Sequence, residues 1–482
     1  MLHRKSTNLI SEIGKYFKDT DTAMGKILDT ILRFKMSDSK LGLESKSIEK
    51  VSLSNKLIVL LLMPFVGVKK ISGLKDSRIS FLLQGGVDMQ YRMQRAETID
   101  WRKLYSRFIR LILKRLPLIT DDTANQSTGA APNCLIIDDT DAPKRGEHLE
   151  LIGRIFSHVL QKSILGYKIL MLGFNNGSGF VPIDFSMHGE LGKNKDQGLT
   201  AKKRSLRHDS KTPAGTPMYV RKGEYFKSKI KVAVSMLRRN RNLLKDRIDY
   251  VLCDSWFFCE ELIKCCRSLG RHSHILAMAK IGKTKYRVMG KDLDAHELIT
   301  RQCRKFSRCR KYNCQYFTVD AEFKGYHVRL FFCRHQKNKK WRLMVSTDTT
   351  LSFVQAYEIY AMRWSIEVFF KESKQYLGLG KCQAKSLAAQ IASVTVCMMQ
   401  YSLLALVRML DDYKTIGGLF RETQDNVVDI TVYEKIMIVL QELLEAFADY
   451  VGLPDKRLVY NFLNSEQILS NIGLLKNTQQ VA

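Results

Sequence analysis

The chain is 482 residues long and 45% hydrophobic, enough to bury sizeable cores in two to four domains. Lysine and arginine number 78 against 48 aspartates and glutamates, giving a net charge of +30 and a pI near 9.6. That balance is far from an ordinary cytosolic enzyme and calls for a polyanionic partner, without choosing among DNA, RNA and an anionic membrane. The longest apolar run identified, Leu57 to Val68, is too short to cross a bilayer and is interrupted by Pro64, and no signal peptide is expected, so no membrane partner is expected.

In chain order, residues 1 to about 125 read as helical, with Trp101 to Leu116 a basic amphipathic helix opened by Asp100 and stopped by Pro117. Asn125 to Pro132 reads as a linker. Cys134-Leu-Ile-Ile-Asp138-Asp139-Thr140-Asp141 then reads as a buried strand that delivers acids at its C-terminal end. Ile164 to Phe174 and Phe180 to Met187 flank the turn Asn175 to Gly179 and form a hairpin. Positive charge is densest from Lys193 to Arg241, where only Asp196, Asp209 and Glu224 oppose it, and the part from Lys193 to Pro217 reads as a mobile loop that orders on DNA.

A helix over Tyr225 to Lys245 leads to a second acidic strand, Tyr250-Val-Leu-Cys253-Asp254, followed by a helix from Phe257 to Leu269 and a strand from Ile275 to Ala279. Cys314 to Ala321, Tyr326 to Cys333 and Trp341 to Ser346 read as strands. Cys303, Cys309, Cys314 and Cys333 lack the paired short spacing of a zinc site and are read as thiols; the eleven cysteines, mostly in apolar segments, suit a reducing cytoplasm. An amphipathic helix spans Val432 to Tyr450.

Tyr360 to Lys374 reads as one helix. At about 100° per residue, Arg363, Glu367 and Lys374 fall at roughly 300°, 340° and 320° from Tyr360, so a phenol, a carboxylate and two cations share a narrow stripe. Ile366, Phe369 and Phe370 point elsewhere, and Glu358 and Glu372 fall on the far side. On an arbitrary helix such a stripe is a solvated face with ion pairs.

The spacing Tyr360, Arg363, Glu367, Lys374 resembles the YREK signature of the bacterial insertion-sequence-four group of DDE transposases. The resemblance covers roughly residues 130 to 400. In that group the first catalytic Asp lies in an acid-Asp-Thr stretch and the second in a Cys-Asp stretch at a strand end, so it selects Asp139, Asp254 and Glu367 as catalytic and metal-binding residues. Strand alternation sends Asp138 and Asp139 to opposite faces, and the choice between them rests on the resemblance alone. Tyr360, Arg363 and Lys374 are implied to contact DNA phosphates, and Trp341 to stack on a flipped base of a hairpin end. Trp341 at the start of a strand also reads as a core residue.

What the resemblance implies is an α/β protein with an RNase H-like catalytic core over 130–284 and 346–400, and a β-strand insertion over 285–345 before the last catalytic helix. A helical N-terminal region over 1–125 would recognise DNA ends, and a helical C-terminal region over 401–482 would serve dimerisation. The expected function is a cytoplasmic DNA transposase that binds double-stranded DNA, both transposon ends and target, as a homodimer, and uses Mg²⁺, with Mn²⁺ as a substitute. Two carboxylate-held ions suit an in-line displacement at phosphorus. The alternatives are a non-catalytic DNA-binding descendant and an RNase H-like nuclease without strand transfer.

Overall fold

The computed structural model describes residues 22–34, 36–42, 52–77, 79–80, 83, 86–115, 131–190, 212–243, 248–270, 272–302, 305–335, 340–411, 413–424 and 443–444. Most of the expected linker, the lysine-rich loop up to residue 211, Cys303 and all but two residues of the helix expected over 432–450 lie outside them.

The N-terminal helices are α1 (Ala23–Phe34), α2 (Asp38–Leu41), α3 (Leu53–Leu62), α4 (Asp88–Arg95) and α5 (Trp101–Leu113). Asp100 caps α5 as its sequence position suggests, its carboxylate accepting the Lys103 backbone N–H at 2.9 Å. The first strands follow: β1 (Cys134–Pro143), β2 (Gly153–Ser157), β3 (Lys162–Asn175) and β4 (Phe180–His188). After α6 (Pro217–Tyr225) and α7 (Lys229–Asn240) come β5 (Tyr250–Cys253), α8 (Glu260–Arg267) and β6 (His274–Ala279). Helix α7 begins later than expected because Ser228 caps it, accepting from the Lys231 N–H.

These strands lie in the order β4-β3-β1-β5-β6. Strands β1, β5 and β6 are parallel, while β3 runs antiparallel to both β1 and β4. This is the order and direction of an RNase H-like core, and it follows from the sequence. Strands β3 and β4 are joined by a tight hairpin and so alternate, and β1 pairs antiparallel with β3, whereas β5 and β6 are reached through helices and return parallel to β1. Cys134 to Ile137 are buried on both faces, as a central strand requires.

The segment expected as a β-insertion contains β7 (Lys285–Val288), β8 (Lys291–Asp294), α9 (Ala295–Gln302), β9 (Ser307–Cys309), β10 (Cys314–Phe323), β11 (Tyr326–His335) and β12 (Arg342–Ser346). Strand β12 pairs antiparallel with β6, so these strands extend the same sheet. Cys309, Cys314 and Cys333 are buried free thiols there.

Two helices, α10 (Phe353–Ala361) and α11 (Trp364–Tyr376), replace the single helix expected over Tyr360 to Lys374. The N–H groups of Met362, Arg363, Ser365 and Ile366 each bond three residues back, and the Ser365 hydroxyl also donates to the Met362 carbonyl at 2.8 Å. The turn is therefore tightened to 3₁₀ spacing while both Met362 and Arg363 keep right-handed dihedrals. Glu358 faces Lys311 and Tyr312, and Glu372 accepts from the Tyr401 hydroxyl at 3.2 Å, both away from Glu367.

The longest apolar helix is α12 (Leu387–Leu410), not the Leu57 to Val68 run. It is long and apolar enough to cross a membrane, yet almost all of it is buried inside the protein against α1, α3, α4, α5 and β4. The polar residues Gln390, Thr395, Gln400 and Ser402 hide that length in the sequence, and the fold accommodates them: the Gln400 amide donates to the Leu60 carbonyl at 2.9 Å.

Candidate active site

Strand β1 carries its acids on alternate faces, and each face meets a different helix layer. On one side, Arg363 donates to Asp138 at 2.6 Å, and Lys374 donates to the Thr140 hydroxyl at 2.7 Å. These contacts place Asp138 and Thr140 under the α10–α11 layer. On the other side, Asp139 pairs with Lys229 at the start of α7, and Asp141 pairs with Lys168 of β3. Glu190 lies 3.8 Å from both lysines.

Asp254 follows β5, whose Cys253 sits level with Ile137 of β1. Its Oδ1 accepts the Trp256 N–H at 2.9 Å, which fixes the turn beyond the strand. Burial holds its carboxyl above the usual range, with the charge of Asp139 adding to this and the Trp256 N–H opposing it. Burial also pushes Asp138 up to about 7, although Arg363 pulls it back.

Glu367 stands on the first turn of α11, and Arg363 just before that helix donates to it as well as to Asp138. One guanidinium thus bridges a strand acid and a helix acid. Tyr360 donates to the Cys253 carbonyl at 3.4 Å, and burial raises its phenol far above the ordinary value. Helix α11 is seated by buried Ile366, Phe369 and Phe370, with the Phe369 ring 5.4 Å from Phe180 and 4.7 Å from Tyr401. Each such side chain contributes about 1.5–3 kcal/mol by burial, so Glu367 rides on a fixed element.

The structure therefore gathers Asp138, Arg363, Glu367, Tyr360, Thr140 and Lys374 under one helix layer, with Asp254 at the adjoining strand end, while Asp139 is engaged on the other face. Trp341 immediately precedes β12, which is antiparallel to β6, so it stands at the same end of the strands as Asp254. It is half-buried, edge-on to Phe317 at 5.2 Å, with the Arg334 guanidinium 4.6 Å from its ring.

Sequence reasoning missed Lys144. This buried lysine, just past β1, donates to the Gly380 and Cys382 carbonyls at 2.7 and 2.6 Å and ties the strand to the loop after α11. Its place three residues after Asp141 was the signal available in the sequence. The cations counted from Lys193 to Arg241 also include internal ones. Arg221 and Lys222 are buried, and Arg239 pairs with Asp184 and Glu224.

Among the described residues, no three His, Cys, Asp or Glu side chains form a ready metal cage. The donor set nevertheless fits a hard divalent cation: Asp138, Asp254 and Glu367 are carboxylates, and one cationic group already sits between two of them. Acids at adjacent strand ends of an RNase H-like sheet thus lie beside a glutamate on a packed helix. The family model described as transposase DDE domain matches residues 184–403, so over that stretch, which holds Asp254, Arg363 and Glu367 and begins after β1, the chain is similar to the DDE domain of transposases. No curated protein matches the chain. Among solved structures, the cryo-EM structure of a piggyBac transposase synaptic complex with hairpin DNA is similar at 13% identity and a TM-score of 0.40, covering 97% of this chain and 83% of that one.

Proposed function

We propose that this chain is a DNA transposase of the insertion-sequence-four kind, which cuts at the terminal inverted repeats of an element and joins the freed 3′-hydroxyls to target DNA. The observation that carries the reading is the Arg363 bridge between a β1 acid and Glu367, beside Asp254, with Arg363, Glu367 and Asp254 inside the stretch similar to transposase DDE domains. Asp254, Glu367 and one acid of the Asp138–Asp139 pair would hold Mg²⁺, with Mn²⁺ as a substitute. Such ions, when bound, activate the attacking oxygen and stabilise the leaving one.

The chain's own residues supply the rest. Arg363 offers a planar fork and Lys374 a point charge for phosphate oxygens, and Tyr360 offers a phenol beside them. Trp341 stacks on an unpaired base at a hairpin end, and two copies of the chain pair two ends in a bacterial cytoplasm.

The test is strand transfer of a labelled element end into plasmid DNA. Joined product supports the transposase; cleavage without joining leaves a nuclease, and binding without cleavage a non-catalytic descendant.

A further inference from the structure

We infer that Asp138, rather than Asp139, is the β1 acid that holds the divalent cation together with Asp254 and Glu367. This rests on the transposase reading of the site and names one ligand of it.

The first ground is strand geometry. In the parallel β1–β5 pair, Ile137 is level with Cys253, so Asp138 and Asp254 stand one step further on. Level residues on neighbouring strands point to the same face, and Ile137 and Asp139 share a face by alternation. Lys229 of α7 meets Asp139 while Arg363 beside α11 meets Asp138, which puts Asp139, and with it Ile137 and Cys253, on the α7 side. Asp138 and Asp254 accordingly take the other side, where α11 lies.

The second ground is the pattern of partners. Arg363 spans Asp138 and Glu367, so those two carboxylates already converge on one cation, and Thr140, two residues along, meets Lys374. Asp139 is engaged by Lys229 from α7, in a cluster with Asp141, Lys168 and Glu190. To coordinate an ion shared with Glu367, Asp139 would have to give up Lys229 and turn away from the α7 side. The charge of Asp139 reaches Asp254 through space, but a metal bond needs contact at about 2.0–2.1 Å for Mg²⁺. Arg363 must leave Asp138 and Glu367 for the ion to bind, and DNA phosphates offer it a place to go.

The test uses the full-length protein and Mn²⁺, with free Mn²⁺ followed by electron paramagnetic resonance in the presence of a DNA duplex. Asp138→Asn should weaken Mn²⁺ uptake by about tenfold or more, which is about 1.4 kcal/mol, whereas Asp139→Asn should stay within about twofold of wild type. A second readout does not depend on a loss. Asp138→Cys should give a thiolate-to-cadmium ultraviolet band with Cd²⁺, above wild type, that Asp139→Cys lacks. The inference is overturned if the band belongs to Asp139→Cys, or if both Asn variants lose Mn²⁺ equally with unchanged melting. Mn²⁺ uptake that is absent from wild type, or that survives Asp254→Asn and Glu367→Gln, would instead remove the metal site itself.

Discussion

Glu367 and Asp254 reach the site from different elements, one from a helix seated by Phe369 and one from a turn fixed by the Trp256 N–H. An amide at either position keeps the shape and removes the charge that a hard cation requires. Asp254→Asn and Glu367→Gln should therefore abolish cleavage while leaving duplex binding nearly unchanged; a variant that cleaves normally takes its residue out of the site. Arg363 and Lys374 are different, because both already have protein partners, Asp138 and Glu367 for the one and Thr140 for the other. If they exchange these for phosphates, alanine at either position should weaken binding across sequences. The slope of log affinity against log salt should become shallower by about one unit per lost contact. Salt dependence that stays put in both variants would leave them as internal ion-pair residues.

At the scale of elements, Trp341 separates two roles. Its half-buried ring lies edge-on to Phe317 and under Arg334, so truncation must cost some packing. If the indole also stacks on a flipped base, worth about 1–3 kcal/mol, Trp341→Ala should slow hairpin formation more than the first nick. Equal loss of nicked and hairpinned product, with a lowered melting temperature, would leave only the core role. The core strands were legible in the sequence because apolar runs such as Cys134 to Ile137 and Tyr250 to Cys253 are bounded by acids and turns. The break between α10 and α11 was not, since Tyr360 to Lys374 has helical periodicity throughout and the Ser365 bond to the Met362 carbonyl is a local choice no pattern announces. Nor was the face of Asp138. Alternation says that neighbours diverge, but which one meets α11 depends on long-range contacts with Arg363 and Lys229.

Across the whole molecule, the excess positive charge is partly internal. Asp184 and Glu224 are buried among Arg102, Arg221 and Arg239, and Asp184 is held well below the carboxylate range by Arg102 and Arg239 despite its burial. Removing one partner strands a buried cation, so Asp184→Asn should cost about 3–5 kcal/mol in a urea melt. Two other buried groups make stability depend on pH in opposite senses. Burial and the charge of Lys229 lower His188 to about 4, from an ordinary value of 6.5, so between those values the folded protein binds fewer protons than the unfolded chain. Acidification through that window therefore destabilises it. Asp138, raised by burial to about 7 from 3.8, binds more protons when folded, and acidification from pH 7 toward 4 stabilises it. Each effect is of order 3 kcal/mol, since one unit is about 1.4 kcal/mol. In metal-free protein, His188→Gln should gain stability relative to wild type as the pH falls from 7 to 4.5, and Asp138→Asn should lose it. Urea midpoints across that range decide the matter: if both variants keep the wild-type slope, neither group carries the pH dependence, and if the two signs are exchanged, the protonation states assigned to the buried imidazole and carboxyl are wrong.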